Sequence, residues 1–406
     1  MRWGIRRAGV SRRSGKAPLV AAATGILVMA PTVLAATPPV AGTSLPPAIM
    51  PNGLIDVEMA STSVGWAVEA DGQVMRTEDG GQRWTDVAPK KLAAALQASA
   101  RTWTPPLDGG PTQWVFPNAW TAWIVTEPDQ GHTNAVDVWH TGDGGARWSE
   151  TTLRPAVTGW HSLGYAAITA LGNHDVWVLA AGNAGFYRLW RSTRRQPPWT
   201  AVAHGTFDNG GLAGLAFFSG GNGIMTENGY QTPTARVFES TTGGVSWQAR
   251  SIHEPGAATS YPELSAPQAI SSTLGMLAVI WHRSSASAPP SNPSALIDLY
   301  RTTTRGVRWH LVGPLPTHNS DTTLTLDWIN AQQGWLLSAP GDASPRLYTT
   351  NTGGLAWHRV SLPSGIPLSL ERVSANEGFE LSLAGSHTVL YRTNDNARQW
   401  KAVDGQ

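Results

Sequence analysis

No cysteine occurs among the 406 residues. Disulfides and a lipid-bearing cysteine are thereby excluded, and the fold must be held by apolar packing, for which the chain is long enough. Charge is sparse as well: Asp, Glu, Lys and Arg make up 14% of the sequence. Six of the 29 basic residues (Arg2, Arg6, Arg7, Arg12, Arg13 and Lys16) stand in a start that carries no acid. The remainder holds 23 bases against 28 acids and is near −5, where the whole chain is +1. A mildly acidic body lacks the basic footprint that phosphate backbones require, which argues against nucleic acid as a partner. Also missing are His-Glu-x-x-His, Gly-x-Ser-x-Gly, a phosphate-binding Gly-Lys-Ser/Thr and a dinucleotide-binding glycine pattern. With them go the common metalloprotease, hydrolase and nucleotide-site signatures.

Long apolar runs are scarce too. Residues 1–35 join the basic start to an uncharged stretch whose apolar centre, Leu19 to Ala30, is short for a membrane span, and Val33-Leu34-Ala35 follow as small residues suited to cleavage. This reads as a signal peptide, with a retained anchor as the alternative, so the expected location is extracytoplasmic, secreted or membrane-associated. Residues 36–53, with Pro38-Pro39, Pro46-Pro47 and Pro51, read as an extended linker.

What the chain has in quantity is tryptophan, 20 residues, and glycine, 43, and both are periodic. The octet Thr77-Glu-Asp-Gly-Gly-Gln-Arg-Trp84 returns as Thr141-Gly-Asp-Gly-Gly-Ala-Arg-Trp148. Altered copies end at Trp199, Trp247, Trp309, Trp357 and Trp400. Each octet follows an apolar pair, from Val74-Met75 and Val138-Trp139 to Leu390-Tyr391. An octet is the turn of a hairpin. Gly81 and Gly145 supply the positive φ that a tight turn needs, while Thr77, Asp79, Thr141 and Asp143 accept hydrogen bonds from the turn's own amides. The closing tryptophan is expected to fold back over its hairpin and bury a large surface. Asp395 keeps the acidic position in the last copy, with Ala397 where glycine is expected; elsewhere Arg194, Thr242, Thr304 or Thr352 replaces the aspartate. One carboxylate per turn is far below the roughly six to eight oxygens that calcium takes, so the turns are structural and no metal or other cofactor is expected.

A second signature keeps step with the octets: Gly65-Trp66, Ala122-Trp123, Val176-Trp177, Gly223-Ile224, Gly275-Met276, Gly334-Trp335 and Gly378-Phe379. Four strands per repeat, in seven repeats spaced 43 to 64 residues from tryptophan to tryptophan, describe an all-β, seven-bladed β-propeller of four-stranded antiparallel blades over residues 54–406. Lys90 to Ala100 reads as one short helix covering a blade edge. With the innermost strand first, the octet turns share one face of the disc and the long connections share the other, where binding residues commonly sit. Trp103, Trp160, Tyr230 and Tyr261 map to that long-loop face as candidate ligand contacts, or as residues that tuck loops onto the disc.

The Ser/Thr-x-Asp-x-Gly-x-x-Trp pattern resembles the Asp-box, or BNR, repeat of sialidase-like and photosystem II assembly-factor-like propellers. A single seven-bladed copy behind an export segment is most similar to the photosystem II assembly and stability factors and their relatives in bacteria that do not photosynthesise. That resemblance implies a monomeric, non-catalytic module that holds a protein partner during assembly or stabilisation of a membrane or envelope complex. It also implies an arginine patch, to which Arg76, Arg301 and Arg392 could contribute on the octet face. The alternative is a carbohydrate-active enzyme, sialidase-like or another glycoside hydrolase, or a glycan-binding propeller. It would draw on Glu127, Asp129, Asp208, Glu227, Glu254, Glu263 and Asp321, since glycosidases set two carboxylates about 5 to 9.5 Å apart. Against it, the recurrent arginines stand at the wrong end of the disc for a sialidase, and the Phe/Tyr-Arg-Ile-Pro segment of sialidases is missing.

Overall fold

In the computed structural model the described residues are 53–99, 113–126, 135–155, 163–172, 175–182, 185–193, 198–207, 212–227, 234–253, 260–283, 295–317, 321–340 and 344–403. The expected signal peptide and nearly all of the linker lie outside them. No helix among the described residues is long and apolar enough to cross a membrane.

The octets form as their chemistry predicts. Thr77 Oγ1 accepts the Gly81 N–H at 2.9 Å and donates to Asp79 Oδ1, which in turn accepts the Arg83 N–H at 2.9 Å. The second octet repeats these bonds through Thr141 and Asp143. Threonine at the third position serves equally well. Thr242, Thr304 and Thr352 offer Oγ1 to the N–H of Ser246, Arg308 and Ala356 at 2.8 to 2.9 Å, the place where Asp79 accepts Arg83. These three altered copies therefore retain the hydrogen bond that the aspartate accepts in the full ones. Positions four and five both take positive φ: 75° and 90° at Gly80 and Gly81, and 60° and 63° at Asn396 and Ala397, where only the side chain departs from the pattern.

Seven antiparallel sheets result, at residues 54–86, 114–153, 163–206, 212–253, 260–314, 321–360 and 366–402, each built from consecutive strands in sequence order. These are blades 1 to 7. First strands of neighbouring blades touch one another, whereas fourth strands such as Thr85–Asp86 and Lys401–Ala402 are exposed. The first strand is thus innermost, as the phase of the repeats implies. Helix α1 (Lys90–Ser99) carries Leu92 and Leu96 into the core between blades 1 and 2. Blade 5 departs from four simple strands: its inner strand is split into Ser260–Leu264 and Gln268–Ala269. The break falls at Ala266-Pro267, which lies against Gly214 of blade 4 so closely that a Cβ there would come within 2.5 Å of Ala266 Cα. Proline also has no N–H to give the ladder.

The core is seven radial seams, one between each pair of blades, and the octet tryptophans belong to them. Trp84 packs with blade 7, Trp148 with blade 1, Trp199 with blade 2, Trp247 with blade 3, Trp309 with blade 4, Trp357 with blade 5 and Trp400 with blade 6. This corrects the expectation that each tryptophan folds over its own hairpin. It wedges against the preceding blade and is only half-buried. The fully buried large rings are those of the second strands, Trp66, Trp123, Trp177, Trp281, Trp335 and Phe379, joined by Phe218 of the inner strand of blade 4. Two such rings meet octet tryptophans edge-on, Trp123 with Trp199 and Trp335 with Trp400, each at 5.8 Å. Ring closure uses the same seam. Leu54, Val57 and Met59 of blade 1 pack on Leu368, Phe379 and Leu381 of blade 7, and Ser369 Oγ donates to Val57 O at 3.0 Å.

A further joint ties the octet face together. At four seams the arginine before one octet reaches the fourth octet position of the next blade. A Cβ on Gly144 would lie 3.3 Å from Arg76 Cζ, and one on Gly353 would lie 3.7 Å from Arg301 Nη1; Gly80 and Gly243 meet Arg392 and Arg191 in the same way. Between blades 6 and 7 the pair changes: Asn396 Nδ2 donates to Thr349 Oγ1 at 3.1 Å, and Asn396 Oδ1 accepts Trp335 Nε1 at 2.9 Å. Between blades 4 and 5 the two positions are Glu239 and Arg305, so that the arginine has moved to the octet.

Two stability outcomes follow from this packing. Trp66→Ala should cost about 3 to 5 kcal/mol, as for a fully buried aromatic, and Trp84→Ala about half of that because part of its ring already faces water. Equal losses in a denaturant series would refute the wedge description. Thr352→Asp should change stability by less than about 0.5 kcal/mol, since the carboxylate keeps the acceptor, whereas Thr352→Val should lose about 1 kcal/mol with the hydrogen bond; a costly Asp would contradict the equivalence.

Candidate functional site

The three arginines expected to form a patch stand at equivalent places in blades 1, 5 and 7, and so around the octet face. Each lies along a seam. Arg392 sits over the Phe379 ring and pairs with Glu377 at 3.0 Å. Arg301 faces Gly353. Arg76 is the most engaged: its Nε donates to Ala119 O at 3.1 Å, its Nη1 to Glu78 at 2.6 Å, and its guanidinium lies 4.7 Å from the Trp120 ring centre.

Trp120 is the exception among the tryptophans. It occupies the turn from the inner to the second strand of blade 2 and remains 56% exposed, while Gly144 N–H donates to its carbonyl at 2.9 Å. Beside it runs a groove of about 710 Å³ between blades 1 and 2, lined by Arg76, the Asp86–Pro89 corner, Trp139, Trp148, Glu150 and the second octet. Local structure holds this groove open. Blade 1 ends at Asp86, whose Oδ1 accepts the Ala88 N–H and turns the chain towards α1. Gly145 rides on Val87, and Trp148 Nε1 donates to Val87 O at 2.7 Å. At the outer side Lys91 pairs with Glu150 at 2.6 Å and lies over Trp139. Turn hydrogen bonds from Arg147 and Thr141 hold the Asp143 carboxyl below its ordinary range, so it is ionised. In the first octet the second oxygen of Asp79 is taken by the Arg83 guanidinium at 2.8 Å. Among the described residues no side chain donates to the second oxygen of Asp143. Sequence reading missed this groove, although Trp120 was legible as a tryptophan in a short turn with no packing duty.

A second group lies on the inner strands of blades 1, 6 and 7: Asp56, Glu58, Asp327 and Glu371. Asp56 accepts Trp114 Nε1 at 2.6 Å and the Val57 N–H at 2.9 Å, yet burial still raises its pKa. Burial and the charge of Asp56 push Glu58 up to about 8. Burial, with Asp327, Glu58 and Asp56 as like charges, holds Glu371 well above the carboxylate range. Asp327 rises to about 7 by burial, against the opposing charge of Arg372. Glu380, on the second strand of blade 7, is raised to about 8 by burial, although Ser382 donates to it. Among the described residues no three such groups converge as metal ligands do. Burial thus favours the protonated form of these acids.

Of the carboxylates that an enzyme reading would use, Glu227 is buried and lies 3.4 Å from Arg236, and Glu263 pairs with His282 at 2.9 Å. Glu127, Asp129, Asp208 and Glu254 lie outside the described residues, as do Trp103, Trp160 and Tyr230. Tyr261 belongs to the inner strand of blade 5, its backbone paired with His282. Most of the long-loop face is therefore not part of the described structure.

The raised carboxyls make stability pH-dependent. A carboxyl with a folded pKa near 7 or 8 keeps a proton that the unfolded chain has released, so stability is full below about 4.5 and declines as pH climbs towards 8. His140, buried against Trp123 and lowered to about 4 by burial, works the other way and costs stability as pH falls from 6.5 to about 4. Melting should therefore occur at higher temperature at pH 6 than at pH 8.5. Glu58→Gln with Glu371→Gln should flatten that difference by raising the pH 8.5 value; a wild-type Tm that rises with pH would contradict the proton-holding cluster.

No family model matches the chain, and no curated protein sequence does. Solved structures do. The chain is similar to YCF48 bound to a D1 peptide, at 18% identity and a TM-score of 0.50 over 85% of this chain and 94% of that one. It is similar to YCF48 from Cyanidioschyzon merolae, at 14% identity and a TM-score of 0.50 over 85% and 96%. It also matches a GH74 xyloglucanase from Xanthomonas campestris, at 15% identity and a TM-score of 0.55, over 88% of this chain but 55% of that enzyme. At these identities the likenesses establish the seven-bladed fold, which protein-binding and hydrolytic propellers share.

Proposed function

We propose that this chain is an exported, non-catalytic propeller that binds a protein partner, acting in the assembly or stabilisation of a membrane or envelope complex, with the octet face at the seam of blades 1 and 2 as its site. The observation that carries this reading is Trp120, an exposed indole braced by Arg76 at the edge of a preformed groove. Exposed tryptophan supported by arginine is the composition of interface hot spots rather than of solvent-facing turns. The reading is supported by the likeness to a propeller solved with a peptide and by the Asp-box resemblance. The basic, then uncharged, N-terminus supports export. Glu227 and Glu263 are engaged by Arg236 and His282, which speaks for binding over hydrolysis.

The test is site-directed crosslinking in the producing cell. A photoreactive residue in place of Trp120 should give one discrete protein adduct, and the same residue in place of Val245, equally exposed on the octet of blade 4, should not. Adducts of equal yield from both positions, or none from position 120, would overturn the site.

A further inference from the structure

The groove between blades 1 and 2 has a chemistry that selects its occupant. Its walls are apolar and flat, formed by Trp148, Trp139, Val87 and Pro89. Its positive groups are already satisfied. Arg76 is 11% exposed and bonded to Glu78 and Ala119, and Lys91 is spent on Glu150. The negative groups are not. Asp86 and Asp143 each use one oxygen on the turn's own amides, and among the described residues no side chain donates to the other. At the equivalent aspartate of blade 1 the Arg83 guanidinium pairs directly at 2.8 Å, whereas Arg147 gives Asp143 its backbone N–H and a nearby positive charge. Two carboxylates beside indole walls therefore each keep one oxygen to which no side chain among the described residues donates.

We propose that this groove docks an extended basic segment of the partner protein, its lysine or arginine head groups meeting Asp86 and Asp143 while the aliphatic stems lie along Trp148 and Trp139. Basic side chains suit such a place because a long apolar stem covers aromatic surface while the charge stays at the rim. An acidic or phosphorylated segment would meet two unpaired carboxylates and be repelled. This inference rests on the protein-binding reading above and assigns the partner's chemistry.

The probe is a fluorescein-labelled decapeptide of alternating arginine and alanine, with its glutamate-for-arginine counterpart, titrated into the exported chain by anisotropy. The arginine peptide should bind and weaken as salt rises, and the glutamate peptide should not bind. Asp86→Asn with Asp143→Asn keeps both turn acceptors, so the Tm should hold, while affinity falls about five- to tenfold. Asp395→Asn, the same change on blade 7, should leave affinity unaltered. Equal loss from Asp395→Asn would show general attraction to an acidic protein and overturn the proposal, as would binding of the glutamate peptide or no effect of the double variant. A protein adduct from position 120 without arginine-peptide binding sinks this inference alone; peptide binding that depends on Asp86 and Asp143 without any adduct sinks the partner reading.

Discussion

Everything in this molecule depends on one contact, the indole of each octet pressed into the seam of the blade before it. A four-stranded blade has no interior of its own, so its two faces must both be covered by neighbours. The wedge provides this at every seam, and a buried second-strand ring joins it at most of them. The ring closes with no strand exchanged between blades 7 and 1, because Trp84, Val57 and Phe379 complete there the same seam that is built six times elsewhere.

Much of the fold was legible because its determinants are local. Octet, apolar pair and second-strand aromatic recur in step, and the helix from Lys90 could be placed from a few leucines. The destination of Trp84 was not legible, since the residues it touches are more than 280 positions away in blade 7. The proton-holding acids were invisible for a related reason. Nothing about Glu58 or Glu371 in isolation marks it, and burial together from three blades raises both. The broken inner strand of blade 5 could have been suspected from Pro267, but its cause, the close approach to Gly214, is again between blades. For the candidate site, neither Trp120 nor its groove was singled out from the sequence, since the groove arises only when the Asp86–Pro89 corner meets the next octet.

The recurrent arginines show how a sequence motif can have two meanings. Read along the chain, Arg76, Arg301 and Arg392 suggest a charged surface. Folded, Arg76 and Arg392 lie over second-strand aromatic rings and are bonded to nearby turns, and Arg301 faces Gly353 of the next blade. The groove rim instead offers acids with an oxygen to which no side chain among the described residues donates, while burial raises the pKa of the acids on the inner strands.

The joints between octets bear on how such a ring can change over evolutionary time. Among the described seams four are arginine into glycine and one is threonine into asparagine, while blade 4 carries instead a glutamate held by Arg250 of its own blade. Blades are therefore not interchangeable beads, because each carries a key for its successor and a lock for its predecessor. A duplicated blade of the arginine and glycine type could follow another of its kind without altering either joint. The order of the ring is thus encoded pairwise, and a propeller of this kind would gain or lose blades most readily at its arginine–glycine joints.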